Sequence, residues 1–210
     1  LRGIGEQPGQ WIEIQSNQGS WRIEDRYPSD NTTEMVFEMG TDMTITEGST
    51  TVLPDASSGP VWVSEPLEDD LYIAGLPRFH VEVTTASVGG QLYALLEDCD
   101  NQSNCIHLGH AIMDLRYHAG GDEIQTWTPM VQSINAKMEF FAMDAEVEAG
   151  HVLRLSLRST GEDYLPASTS SAVFVQEGAS TTLQLDTFNP DTRTYFTPPV
   201  CTHERCLQTE

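Results

Sequence analysis

Residues 71–117 constrain the fold more tightly than any other stretch, because apolar and polar side chains alternate there with the period of a β-strand. Phe79, Val81 and Val83 alternate with His80, Glu82 and Thr84, the pattern of a half-buried strand, and Pro77 interrupts pairing just before it. Gln91–Leu96 is apolar on both parities, so it reads as a central strand covered on both faces. From Ile106 to Tyr117 the apolar parity changes, with Ile106 and Leu108 giving way to Ala111, Met113, Leu115 and Tyr117. A one-residue slip near Gly109 predicts a β-bulge. The stretch therefore reads as three consecutive strands, with a turn at Ser87–Gly90 and a Cys-bounded loop at 99–105.

More strands are expected on either side. Residues 11–25 form a hairpin through Asn17–Gly19, and Arg26–Asp30 breaks the pattern at Pro28. Glu34–Met39 and Met43–Thr46 are two short strands joined across Gly40–Asp42. Residues 47–60 look like a linker, but too few strands precede them for an independent core, so they are read as a surface connection within one domain. Val61–Ser64 is a short strand, followed by an acidic turn at Glu65–Asp70. Ala119–Ser133 is loop. Ala136–Val147 is one long strand with a parity switch at Phe140/Phe141. In His151–Arg158 the residues Leu153, Leu155 and Leu157 face inward, with Arg154, Ser156 and Arg158 outward. Ala172–Gln176 and Thr181–Leu185 make a final hairpin through Glu177–Ala179, and an irregular tail follows from Thr187. This is an all-β chain, a β-sandwich or jelly roll. Its parts are an extension at 1–10, the sandwich at 11–186 and a tail at 187–210.

Composition narrows the partners. The 32 acidic residues against 10 basic ones leave a formal charge of −22, which repels nucleic acid and anionic lipid. The acids are scattered, as on a solvated face; adaptation to high salt stands beside ordinary acidic solubility as their reason. No apolar run approaches the roughly 18 residues of a membrane span, and residues 1–10 carry no signal pattern. Either a signal has been removed or the chain is a piece of a longer one, and the second reading is preferred.

The four cysteines form two local pairs, Cys99/Cys105 and Cys201/Cys206. Two disulfides and an oxidising, extracellular or cell-surface setting are expected from them, with a bridge between the pairs as a variant. The competing reading is metal, held by Cys99, Cys105, His107 and His110, with a second set at Cys201, His203 and Cys206. The gaps do not match zinc-knuckle spacing, so no cofactor or metal is expected.

Several stretches together resemble one family, the C-terminal non-catalytic jelly-roll (galactose-binding-like) domain of X-Pro dipeptidyl-peptidases and CocE/NonD serine hydrolases. They are IEIQSNQGSWRIEDRYP from Ile12, LYIAGLPRFHVEVTTASVGGQLYALLEDC from Leu71, HLGHAIMDLRYH from His107 and AGHVLRLSLRST from Ala149, with LPAS following. The resemblance spans roughly residues 11–186. Residues 105–109 (CIHLG) depart from the family's Arg-containing loop, 122–134 matches poorly, and the Cys pairs have no counterpart.

The resemblance implies an accessory domain docked on an α/β-hydrolase catalytic domain of the same polypeptide. It would shape substrate access and oligomer contacts, while the whole enzyme cleaves an ester or amide. The chain alone is expected to be no enzyme. It has no G-x-S-x-G elbow; Gly178-Ala179-Ser180-Thr181-Thr182 comes nearest and sits between two strands. No catalytic residue is assigned: His151 is read as structural and His80 as exposed. Glu97, Asp98 and Asp100 are weighed as a Ca²⁺ cluster against a solvated turn, with the turn preferred. Asp69/Asp70 and Asp144/Glu146/Glu148 are read as solvated. Trp11, Trp21, Trp62 and Trp127 would form a sugar-stacking platform if the chain were instead a stand-alone carbohydrate-binding module; core packing is the default. A purely structural module of a secreted or surface protein is the third reading.

Overall fold

The computed structural model describes residues 12–54, 59–161, 164–165 and 171–198. The first half of the chain supplies β1 (Ile12–Gln15), β2 (Trp21–Glu24), β3 (Thr33–Met39), β4 (Met43–Glu47), β5 (Thr51–Val52), β6 (Val61–Ser64), β7 (Leu71–Gly75) and β8 (Arg78–Thr85). The second half supplies β9 (Gln91–Cys99), β10 (Cys105–Asp114), β11 (Ile134–Glu139), β12 (Met143–Val147), β13 (Val152–Arg158), β14 (Val173–Gln176), β15 (Gly178–Thr187) and β16 (Thr194–Tyr195). Helix is confined to two 3-10 turns, Leu115–Tyr117 and Pro190–Thr192, among the described residues. No helix there is long and apolar enough to cross a membrane.

One hydrogen-bonded path runs β10-β9-β13-β6-β4-β3-β15-β8-β14-β5, with β11 on β8, and β7 joining β15 and β12. Four ladders separate β6 from β8 along this path, about 19 Å if the sheet were flat. Yet the rings of Trp62 on β6 and Phe79 on β8 are 6.1 Å apart. The path therefore folds back on itself into a sandwich, closed over Leu92, Leu96, Leu153, Leu155 and Leu157 on one side and Val81, Met138, Leu183 and Leu185 on the other. The fold-over lies between β3 and β4, which touch only at the parallel bridge Met39↔Met43, across Gly40 at φ +88°. The two strands expected on either side of Gly40–Asp42 are present, and the connection between them carries the chain from one layer to the other.

Other expectations change for related reasons. The stretch 71–117 holds four strands, because the break at Leu76–Pro77 separates β7 from β8. The expected long strand 136–147 is likewise two, β11 and β12. Its interruption lies opposite Pro77: Glu139 pairs with Arg78, Met143 with Gly75, and Phe140 N–H donates to the Pro77 carbonyl at 2.9 Å. The final pair is no hairpin. β14 and β15 both run along β8, and between them the Thr181 hydroxyl accepts from Glu82 N–H at 3.1 Å, which fills the gap in the ladder. β5 forms inside the expected linker and pairs with β14. Ser156, expected outside, is buried, because the second face of β13 is covered too. The bulge near Gly109 is present, between His107 and Gly109.

A second, three-stranded sheet, β1-β2-β16, contains the expected hairpin. Its third strand comes from the tail expected to be irregular.

Candidate functional site

At the end of the layer formed by β9, β10 and β13, three neighbouring carboxylates have separate destinations. Asp98 points into the protein, fully buried, and its Oδ1 lies 2.7 Å from His151 Nδ1. Glu97, on the opposite face of β9, accepts from Arg154 at 2.5 Å. Asp100 turns back on its own loop, accepting from the backbone N–H groups of Gln102 and Asn104, each at 2.8 Å. The Asn104 side chain and backbone hold the Asp100 carboxyl below its usual range. Strand alternation thus divides the set considered for Ca²⁺, and each of the three carboxylates engages a different partner. His151, itself partly exposed, serves buried Asp98 as a polar partner.

The loop between β9 and β10 closes where Cys99 and Cys105 face each other in the ladder, with sulfurs 2.06 Å apart. Cys201, His203 and Cys206 lie outside the described residues, as do Trp11, residues 1–10 and 166–168. The four residues weighed as one metal set therefore separate into a bonded Cys pair and two histidines. Among the described residues no group of three or more His, Cys, Asp or Glu converges as a metal site.

The two histidines belong to an aromatic patch on β10. The rings of His107 and His110 are 5.3 Å apart. His110 stacks on Tyr93 at 5.4 Å and meets the edge of Phe141 at 5.1 Å. Its Nε2 is 2.9 Å from the Tyr164 hydroxyl. Phe141 is 62% exposed and Leu165 beside Tyr164 is 89% exposed, so much apolar surface here faces solvent. Tyr164 and Phe141 carried no signal of this role in the sequence.

Under the small sheet lies a buried charge cluster. Arg22 on β2 binds both carboxylate oxygens of Asp144 on β12 and bonds Glu24 at 2.8 Å. Arg193 reaches Glu24 from the other side at 3.4 Å, and the Arg22 guanidinium sits 4.4 Å above the Phe188 ring. Burial works against the Arg22 charge, but the bonds to Asp144 and Glu24 outweigh it and raise its pKa. Tyr27 bonds the carbonyls of Met143 and Gly75; burial, then the nearby Asp144 charge, push its phenol up to about 12. Asp144 was read as solvated, and its partner 122 residues away in sequence is the reason it is not.

The tryptophans do not line up as a platform. Trp62 and Trp127 are buried in the core, with their indole N–H groups donating to Glu177 and Thr85. Trp21 packs edge-on against Phe196 at the other sheet. Beside Trp127, a cavity of about 450 Å³ is lined by His118, Gln125, Gln132, Asn135 and Lys137. His80 lies half-buried across the ladder from Lys137; burial, then Lys137 and Arg78, lower its pKa.

A family profile described as the X-Pro dipeptidyl-peptidase C-terminal non-catalytic domain matches residues 3–197. The chain belongs to this family. No curated protein sequence matches it. Among solved structures, it is similar to an aminopeptidase from a marine-sediment thaumarchaeon, with TM-score 0.66 and 12% identity over 83% of this chain and 40% of that one. It is also similar to a CocE/NonD family hydrolase from Staphylococcus aureus, with TM-score 0.64 and 10% identity over 84% of this chain and 41% of that one. At these identities the likeness is one of fold. The chain spans about two-fifths of the length of those structures. The family is described as a non-catalytic domain. The 178–182 segment, the nearest approach to a nucleophile elbow, begins strand β15 and leads into no helix.

Proposed function

We propose that this domain is the accessory part of a serine hydrolase, docked on an α/β-hydrolase catalytic domain of the same polypeptide. The observation that carries the reading is the family match over 3–197, in a chain spanning two-fifths of its structural neighbours. The sandwich is read as a jelly roll of the galactose-binding type. Its role is to shape access to an active site elsewhere and to contribute oligomer contacts. The parent enzyme cleaves an ester or an amide, X-Pro dipeptides being one substrate class.

The surface we assign to docking is the 119–133 loop. It presents Ile124, Met130 and Val131 to solvent, with Val131 76% exposed, beside the Lys137 cavity. Exposed apolar side chains clustered on one loop suit a covered interface. The cysteine pair supports an extracellular or cell-surface setting.

The test compares the purified domain with the parent polypeptide on nitrophenyl esters and Xaa-Pro-nitroanilides. The domain alone is expected to show background rates, and the parent serine-dependent turnover. Turnover by the isolated domain that a serine-directed phosphonate abolishes would overturn the reading. In the parent, Ile124→Asp with Val131→Asp is expected to loosen the two parts, seen as separate melting transitions; an unchanged single transition would remove the loop from the interface.

A further inference from the structure

The β-bulge in β10 has a chemical consequence. His107 and His110 are separated by an odd number of positions, so in a regular strand their side chains would lie on opposite faces. Here His107 pairs with Glu97, Gly109 with Leu96 and His110 with Leu95, so Leu108 is the extra residue. The slip turns both imidazoles to one side, with His107 Nε2 3.4 Å from His110 Nδ1. Gly109 is suited to the bulge: a Cβ there would lie 2.4 Å from Met143 Cε.

We propose that His107 and His110 form a two-imidazole site for a borderline first-row divalent cation, Zn²⁺ or Cu²⁺. Two nitrogens bound at about 2.0–2.1 Å to one tetrahedral ion lie about 3.3–3.4 Å apart. The observed separation has that value, and a hydrogen bond between the two rings bridges it. The rest of the His110 ring is held as a ligand ring is held. Nε2 engages the Tyr164 hydroxyl at 2.9 Å, which directs Nδ1 toward His107. Tyr93 and Phe141 pack its faces and edge. Imidazole nitrogens select zinc and copper over the hard oxygen-seeking Ca²⁺ and Mg²⁺. The net charge of −22 raises the local concentration of any dication. Solvent completes the coordination shell, so the site loads and unloads reversibly at the surface.

The experiment uses the untagged domain, since a polyhistidine tag would bind the same ions. Zn²⁺ is titrated calorimetrically, and Cu²⁺ is added for electron paramagnetic resonance. Saturable binding of one ion per chain is expected, with nitrogen couplings from two imidazoles in the Cu²⁺ spectrum. His107→Ala and His110→Ala should each weaken binding about tenfold or more, and Tyr164→Phe by about tenfold with the stoichiometry kept. Circular dichroism on each variant confirms that the fold is retained. Ca²⁺ at the same concentration should not compete. Two outcomes overturn the proposal: no saturable uptake of either ion, or one-to-one binding that survives in the double variant His107→Ala/His110→Ala.

Discussion

The Arg22 cluster and the His110 patch invert the usual arrangement of a folded domain in opposite ways. Under β1-β2-β16, four charged side chains are withdrawn from water: Arg22, Glu24, Asp144 and Arg193 are each less than a tenth exposed. Around β10, His107 and Phe141 are left outside over buried Tyr93, with Phe141 at 62% exposure. Buried charges are tolerable because they pair with one another, and that mutual dependence gives the cluster a structural role. Exposed rings with fixed orientations stabilise little, so their arrangement is available for binding. The comparison teaches that burial, and not residue type, separates the scaffold from the candidate site in this protein.

The comparison can be broken most directly at Arg22. Arg22→Ala leaves Asp144 and Glu24 without their shared cation, and the expected loss is about 3–5 kcal/mol in urea unfolding. A loss below 1 kcal/mol would mean that the cluster is hydrated and the contrast false. Next comes His151→Ala, which strips the partner from fully buried Asp98 and should cost about 3 kcal/mol. Restoring most of that stability with Asp98→Asn in the His151→Ala background would show that the cost came from the stranded charge. Gly109→Val is expected to cost about 1–3 kcal/mol through crowding at Met143 and to separate the two histidines, seen as altered imidazole NMR shifts.

Smaller effects sharpen the same contrast. Tyr27 has an ordinary pKa of 10.0 that burial raises to about 12 in the fold. Between those values the unfolded chain has lost the phenol proton while the folded one keeps it, so this contribution to stability falls as pH rises through the window. Tyr27→Phe should flatten that part of the alkaline unfolding profile; an unchanged profile would mean the phenol is solvated. At the other pole, Phe141→Ser should change stability by no more than about 0.5 kcal/mol, measured as the urea midpoint. A larger loss would place Phe141 in the core.

The local features were legible in the sequence because they depend on neighbours. Period-two alternation marked β8 and β13, apolar residues on both parities marked β9, the parity change marked the bulge at Gly109, and Pro77 marked a break. The ordered run of motifs led to the family, and its non-catalytic description agrees with the lack of a nucleophile elbow. What the tertiary structure alone decided was pairing over distance. Arg22 and Asp144 meet across 122 residues, β14 and β15 both settle on β8, and the chain changes layers between Met39 and Met43. The histidine pair lies between these cases. Its bulge was readable, but its ring orientation depends on Tyr164, 54 residues further along. Side-chain alternation is a property of the strand itself, so sequence reveals it. The partner of a strand or a buried charge is chosen by how the whole sandwich closes, and no local pattern encodes that choice.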